Sequence, residues 1–120
     1  MTIDQLHHLL ETALQSIEFD DVMQVISNNY LYTPSAFSNG LGEDMVTNAA
    51  GTNEGSCKIF AFARLNWLNE QQTLACFGRY YREDVQLNPD GEDHANIRTF
   101  MRHGWPGIKF SGTALTPKQL

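Results

Sequence analysis

The stretch Gly55-Ser-Cys-Lys-Ile-Phe-Ala-Phe-Ala-Arg-Leu-Asn-Trp-Leu68 decides how the rest of this 120-residue chain must fold. After Lys58 it is apolar on almost every side of a helical wheel, and only Arg64 and Asn66 interrupt it. A helix that is apolar all round belongs in the interior of a domain, because a surface helix needs a polar face. The stretch therefore predicts a buried central helix, capped by Ser56 and running to about Leu68.

Length and composition are those of a soluble globular protein with a single domain over residues 1–120. Fourteen acidic and eight basic residues give a net charge of −6, which disfavours general binding to nucleic acid or to anionic membranes. Two cysteines are too few for a disulfide scaffold, and no apolar run is long enough to span a bilayer. We therefore expect a cytoplasmic monomer with two free thiols, no cofactor, and no nucleic-acid or membrane partner.

Two amphipathic helices are predicted before the central one. A capping box formed by Thr2 and Gln5 precedes apolar residues at helical spacing. A second helix is predicted to begin near Asp20, a favourable N-cap, and to fade at Asn28-Asn29. Each has one apolar stripe, so we expect both helices to cover the core from outside.

A fourth helix is predicted after a second capping box, which Asn69 and Gln72 form. Gly78 falls in the interior of this helix, where glycine costs about 1 kcal/mol relative to alanine. We expect close packing of Gly78 against the central helix, at Ala61 or Ala63, to offset that cost. A bulky residue at position 78 would then disrupt the core.

The remaining segments predict a fifth helix, a long loop and a small β element. Asp93 is a suitable N-cap for a helix that ends at Gly104. Residues 35–54 are rich in glycine, asparagine, serine and threonine, which indicates a loop. We expect residues 30–32 and 108–110 to pair as a two-stranded antiparallel element, and the tail after residue 115 to fray. The predicted fold class is α+β and mostly helical, with about five helices packed around a buried central helix.

Cys57 is the candidate nucleophile for an enzyme. In the first turn of a helix and beside Lys58, its pKa would be lowered by the helix dipole and by the nearby cation. His94 and Asn96 lie downstream, in an order that some cysteine hydrolases use. A cysteine-dependent hydrolase or transferase is therefore the alternative function. The other interpretation is that Cys57 is a small core residue, which is the commoner role of a cysteine on an apolar helix.

The segment that leads into the central helix is the candidate site for an anion. Gly51, Asn53, Gly55 and Ser56 precede or open that helix, whose free N–H groups favour phosphate or carboxylate. Lys58, in the same helix, is a further candidate ligand for the anion. The order of residues is not that of a P-loop, because Lys58 does not follow the second glycine directly. The simpler interpretation is that the glycines form a tight turn and the serine caps the helix.

Basic residues elsewhere in the chain supplement this candidate anion site. Arg98 and Arg102 lie one helical turn apart in the fifth predicted helix. Arg82 closes the motif Arg79-Tyr-Tyr-Arg82, whose cations and rings suit a phosphate or a base, or else only face solvent beside acidic residues. No metal site is predicted, because His94 and His103 lack ligand spacing on one helix face.

Five ordered motifs cover much of the chain: Thr33-Pro-Ser-Ala-Phe37, Ala50-Gly-Thr-Asn-Glu-Gly-Ser-Cys-Lys58, Phe77-Gly-Arg-Tyr-Tyr-Arg82, Asp93-His-Ala-Asn-Ile-Arg98 and Gly104-Trp-Pro-Gly-Ile108. With these motifs the sequence resembles the HopJ type III effector family over nearly its whole length. The resemblance implies a bacterial protein, links it to secretion into a host cell, and assigns no reaction. We therefore expect a HopJ-like module that binds a protein partner or a small anionic ligand. A purely structural domain would instead show an apolar surface patch and no pocket.

Overall fold

The computed structural model describes residues 1–118, in which five α-helices and five short β-strands follow one another. The helices are α1 (Ile3–Thr12), α2 (Phe19–Asn29), α3 (Glu54–Leu65), α4 (Glu70–Ala75) and α5 (Ala95–His103). The strands are β1 (Tyr30–Tyr32), β2 (Phe37–Asn39), β3 (Val46–Asn48), β4 (Lys109–Phe110) and β5 (Leu115–Pro117). A π-helical turn, Tyr80–Val85, lies between α4 and α5. No helix in this part of the chain is long and apolar enough to cross a membrane.

Helix α3 is the buried centre of an α+β fold, which confirms the predicted fold class. Ile59, Phe60 and Phe62 are fully buried within it, and the other helices pack around them. The predicted bounds were wrong at both ends. The helix begins one turn earlier, behind Asn53 and not Ser56, because Asn53 adopts a left-handed conformation that turns the chain into the helix. It ends at Leu65 because the backbone then reverses.

The reversal after α3 is a Schellman motif with tryptophan at the position that usually carries glycine. The amide of Leu68 donates to the carbonyl of Ala63 at 2.9 Å, and the amide of Trp67 donates to the carbonyl of Arg64 at 3.3 Å. Trp67 has φ of 58° and its side chain is 92% exposed. A bulky residue in the left-handed region is strained, and this one gains no burial in return.

We expect Trp67→Gly to raise the stability of the protein. Glycine adopts this conformation without the penalty of about 1 kcal/mol that a side chain incurs, and the lost ring has almost no buried surface. A thermal melt should show an increase of about 3 °C. Trp67→Ala is the matched control, since it removes the ring but keeps the Cβ atom, and it should leave the melting temperature nearly unchanged. A clear loss of stability in the glycine variant would contradict this account.

The β structure differs from the predicted two-stranded element in its pairing. β1 pairs antiparallel with β5, with Tyr30 opposite Pro117, and not with residues 108–110. β4 pairs with β2, which also pairs with β3, so residues 35–54 contain a hairpin where a loop was predicted. Strands of two or three residues carry too few positions for an alternating pattern, and the partners of β1 and β4 are far away in sequence. The predicted fraying is wrong for β5, and residues 119–120 lie outside the described residues.

The predicted caps of α1 and α4 were confirmed, and those of α2 and α5 were wrong. Both capping boxes are present, with Thr2 and Gln5 at α1 and with Asn69 and Gln72 at α4. Asp20 lies in the first turn of α2, whose N-cap is Glu18. Asp93 does not cap α5, because its carboxylate binds Arg98 and His94 occupies the N-cap position.

Gly78 lies in the turn after α4 and not, as predicted, in the interior of a helix. Helix α4 ends at Ala75, and Gly78 turns the chain with φ of 59°. Its closest neighbours are backbone atoms at the start of α2, since a Cβ atom at this position would lie 2.7 Å from the nitrogen of Phe19. The predicted contact with Ala61 or Ala63 was therefore wrong. The missing side chain lets the α4 segment pack against α2.

Candidate functional site

The starts of α3 and α5 line one cavity of about 360 Å³. One wall consists of the residues at these two helix starts, namely Asn53, Gly55, Ser56 and residues 94–97. The rest of the lining is mainly apolar and aromatic, formed by Phe19, Val46, Phe77 and Tyr80. The cavity therefore combines a polar end with an apolar body, as ligand sites in proteins commonly do.

Both helices begin at this cavity without a side-chain cap. Asn53 precedes α3 with φ of 49°, and His94 precedes α5 with φ of 52°. In α3 the first amide that donates a helical hydrogen bond is that of Cys57, to the carbonyl of Asn53. In α5 it is that of Arg98, to the carbonyl of His94. The backbone amides of residues 54–56 and 95–97 have no hydrogen-bond acceptor among the described residues. Such N–H groups, at the positive end of the helix dipole, attract anions.

A network of asparagines joins the two helix starts. The side chains of Asn48 and Asn96 exchange hydrogen bonds of 2.9 and 3.2 Å. Asn53 donates to the Asn48 side chain at 2.7 Å, and Asn39 donates to the Asn96 carbonyl at 2.8 Å. Asn39, Asn48 and Asn96 are buried, so these bonds are not exchanged for bonds to water. The network fixes the helix starts relative to each other and to the hairpin of β2 and β3.

His94 stands at the edge of the cavity with its ring held on two sides. Its Nε2 atom lies 3.0 Å from Oδ2 of Asp84 and 3.8 Å from Oδ2 of Asp93. The ring centroid lies 5.4 Å from that of Tyr80. The guanidinium of Arg98 binds the other oxygen of Asp93 at 2.6 Å and lowers the pKa of that carboxyl. Acidic groups thus orient the imidazole from outside the cavity.

The structure brings together five of the residues singled out in the sequence. Asn53, Gly55, Ser56, His94 and Asn96 all line the cavity, although they come from two distant segments of the chain. This convergence joins the candidate anion segment to two members of the candidate catalytic set.

Four other candidate residues lie outside the cavity lining. Gly51 is exposed, and the ammonium of Lys58 lies 4.7 Å from the ring centroid of Tyr32. Arg82 donates to the carbonyl of Ile17 at 2.7 Å. Arg98 donates to backbone carbonyls of the turn before α5. The side chains of Lys58, Arg82 and Arg98 thus make cation–π contacts or hydrogen bonds within the protein.

Cys57 is also absent from the residues that line the cavity. Its side chain is buried, and Sγ donates to the carbonyl of Ser35 at 3.6 Å. Burial raises the pKa of this thiol, although the nearby Lys58 acts in the opposite direction. Desolvation thus outweighs the dipole and cation effects that the sequence suggested.

We expect native Cys57 to react with iodoacetamide at neutral pH more slowly than a free thiol. Its thiol is 1% exposed, and the buried environment disfavours the thiolate that would attack the reagent. Mass spectrometry of the labelled protein gives the rate, with urea-unfolded protein as the reference. Cys76, which is also buried, provides an internal comparison. Fast and selective labelling of Cys57 would contradict this expectation and favour the cysteine-dependent alternative.

Sequence reasoning missed the apolar wall and the acidic partners of His94. Phe19 and Phe77 resemble ordinary core residues in the sequence, and Tyr80 belongs to the motif Arg79-Tyr-Tyr-Arg82, for which both a ligand site and a solvated face were considered. Asp84 lies ten residues before His94, and the π-helical turn that brings the two together has no reliable sequence signature. The clustering of acids in residues 83–93 was the one available signal.

The fold and cavity define a small α+β protein with a site between two helix starts. The chain belongs to the HopJ type III effector protein family, whose model matches residues 3–115. Among solved structures, it is similar to the crystal structure of an unknown function protein, VPA0580, with 52% identity and a TM-score of 0.93. That match covers 98% of this chain and 95% of the other. No curated protein matches the sequence.

Proposed function

We propose that this protein is a binding module for a small anionic ligand, which it holds in the cavity between α3 and α5. The observation that carries the proposal is that two uncapped helix starts converge on one cavity. Each start offers free amides and the positive end of a helix dipole, and together they favour a phosphate or carboxylate group. One helix start occurs in many proteins, whereas two that share a cavity are a more specific arrangement.

The lining also suggests the rest of the ligand. The aromatic rings of Phe19, Phe77 and Tyr80 favour an apolar body attached to the anionic group. The described lining contains neither lysine nor arginine, so the neutral amides of the two helix starts would supply the positive field. A compact aromatic or aliphatic phosphate or carboxylate meets both requirements, and a cavity of about 360 Å³ can enclose such a molecule.

Replacement of Ala95 tests the proposal without disturbing the core. Ala95 is exposed, lines the cavity and occupies the first turn of α5. In Ala95→Glu, the new carboxylate would compete with the ligand for the amides, yet an acid in this turn stabilises a helix. We expect Ala95→Glu to weaken binding of phenyl phosphate at least about tenfold, equivalent to about 1.4 kcal/mol.

The measurement is isothermal titration with phenyl phosphate, inorganic phosphate and benzoate. Ala95→Gln is the matched control, because it has the same length without the charge, and we expect its affinity to stay within about threefold of the wild type. Equal losses in both variants would indicate steric exclusion only. If none of the three probes binds or raises the melting temperature, the anion proposal fails.

A protein partner is the second candidate, and the exposed Trp67 favours it. This ring, the Leu65 side chain and the Trp105 ring border a surface groove next to Arg64. Large exposed aromatic residues contribute strongly to protein interfaces. Crosslinking of wild-type and Trp67→Gly protein in its native extract tests this candidate. A protein partner predicts a discrete crosslinked species with the wild type that is lost with the variant.

A further inference from the structure

We propose that Asp84, Asp93 and His94 form a binding site for a divalent transition-metal cation at the rim of the cavity. Each residue offers one ligand atom, and the three atoms lie within 4.8 Å of one another. The set combines two carboxylates with an imidazole, and only His94 also lines the cavity. The cation site stands on these side chains and does not require the proposed anion binding.

The spacing of the ligand atoms fits a cation. Nε2 of His94 lies 3.0 Å from Oδ2 of Asp84 and 3.8 Å from Oδ2 of Asp93. Ligand atoms that are each about 2.1 Å from a shared zinc ion lie about 3.0–3.5 Å apart at octahedral to tetrahedral angles. One of the three separations already meets this requirement, and the separation between His94 and Asp93 needs a shift of a few tenths of an ångström in an exposed carboxylate. The third separation, between the two carboxylates, is within 4.8 Å and would shorten as both oxygens approach the cation.

The surroundings hold two of the ligands in place before any cation binds. Arg98, whose side chain is only 10% exposed, binds Oδ1 of Asp93 and leaves Oδ2 for coordination. The same guanidinium donates to the carbonyls of Asn88 and Asp93, which fixes the turn that carries the site. His94 is held by its left-handed backbone at the start of α5. Hydrogen bonds that orient ligands in this way are the usual support of protein metal sites.

The ligand set indicates the class of cation. Magnesium and calcium prefer sites made of oxygen atoms, whereas an imidazole favours zinc and its first-row neighbours. Three protein ligands leave at least one coordination position open. Resting on the proposed function, a cation bound to His94 would add positive charge beside the cavity, so the cation and an anion would bind cooperatively.

A second Asp–His pair supplies a matched control within the same chain. Nε2 of His103 lies 2.9 Å from Oδ2 of Asp44, and Arg102 binds that same oxygen at 3.0 Å. Within the described residues, no third carboxylate, histidine or cysteine completes a ligand group there. If an Asp–His contact alone bound zinc, this pair would bind it as well.

The test is isothermal titration of the metal-free full chain with zinc chloride. We expect one site in the wild type, binding at least tenfold weaker in Asp84→Asn and in His94→Asn, and unchanged binding in Asp44→Asn. In Asp84→Asn, asparagine has nearly the shape of the aspartate that it replaces. In His94→Asn, asparagine tolerates the left-handed backbone at this position. Circular dichroism and thermal melts establish that each variant is folded.

Three outcomes would overturn the cation site: no zinc binding by the wild type, full binding by Asp84→Asn, or an equal loss in Asp44→Asn. A parallel titration with phenyl phosphate in the presence of EDTA separates the two proposals. Anion binding that persists without zinc supports the cavity alone. Zinc binding without any anion binding supports the cation site and counts against the proposed function.

Discussion

Gly78→Leu should lower the melting temperature by roughly 10 °C or more, which corresponds to a loss of at least about 3 kcal/mol. The left-handed backbone at this position costs about 1–2 kcal/mol for a residue with a side chain. In addition, a Cβ atom would lie 2.7 Å from the nitrogen of Phe19 and 3.4 Å from the carbonyl oxygen of Ile17. These are backbone atoms at the start of α2, so they cannot move aside as a flexible side chain would.

Gly112→Leu is the control for this experiment. Gly112 is exposed, and a Cβ atom there would have ordinary contact with the hydroxyl of Ser35 at 3.6 Å. Thermal melts of both variants by circular dichroism should therefore show a large effect at position 78 and a small one at position 112. Equal melting temperatures would mean that the turn before the π-helical segment accommodates side chains, contrary to the structure.

Asn96→Leu is expected to lower the free energy of unfolding by about 3 kcal/mol. The substitution removes the acceptor for Asn39 and Asn48 and the donor to the Asn48 side chain. The backbone carbonyl of Asn96 remains for Asn39, and Asn48 keeps its bonds with Asn53 and with the Phe37 carbonyl. Three buried side-chain hydrogen bonds are therefore lost. Each such bond contributes about 1 kcal/mol. The helix starts at the cavity should separate as a result.

Urea unfolding measures this change, with Asn28→Leu as the control. Asn28 is an exposed residue near the end of α2, and its replacement should change stability by no more than about 0.5 kcal/mol. Titration of Asn96→Leu with phenyl phosphate adds a second measurement, which should show weakened binding at temperatures where the variant is folded. A variant as stable as the wild type would show that the asparagine network does not hold the site together.

Local chemistry explains which parts of the fold could be predicted from the sequence. The capping boxes at Thr2 and Asn69 depend on residues close together in the chain. The same is true of α3, which is apolar on almost every side. The start of α3 was missed because a left-handed asparagine does not resemble an ordinary N-cap. The pairing of β1 with β5 was missed because it joins residues 30–32 to residues 115–117, which are far apart in the chain, through three-residue strands.

The candidate site could be predicted only in part, for a similar reason. The helix-start chemistry of Asn53, Gly55 and Ser56 was visible locally, and His94 was noticed for its own reactivity. That both segments face one cavity is a tertiary fact, which no spacing in the sequence indicates. The sequence suggested a lowered pKa for Cys57 from its local surroundings, whereas burial, which only the fold reveals, raises that pKa.

The contrasting positions of the two tryptophans give this protein two separate optical reporters. Trp67 lies in solvent, whereas Trp105 packs edge-on against Phe100 and donates its indole N–H to the carbonyl of Leu68. Fluorescence of Trp67 should be quenched readily by iodide and should respond to whatever covers that surface. Trp105 is only partly exposed, so its fluorescence should be quenched less than that of Trp67 until the core melts.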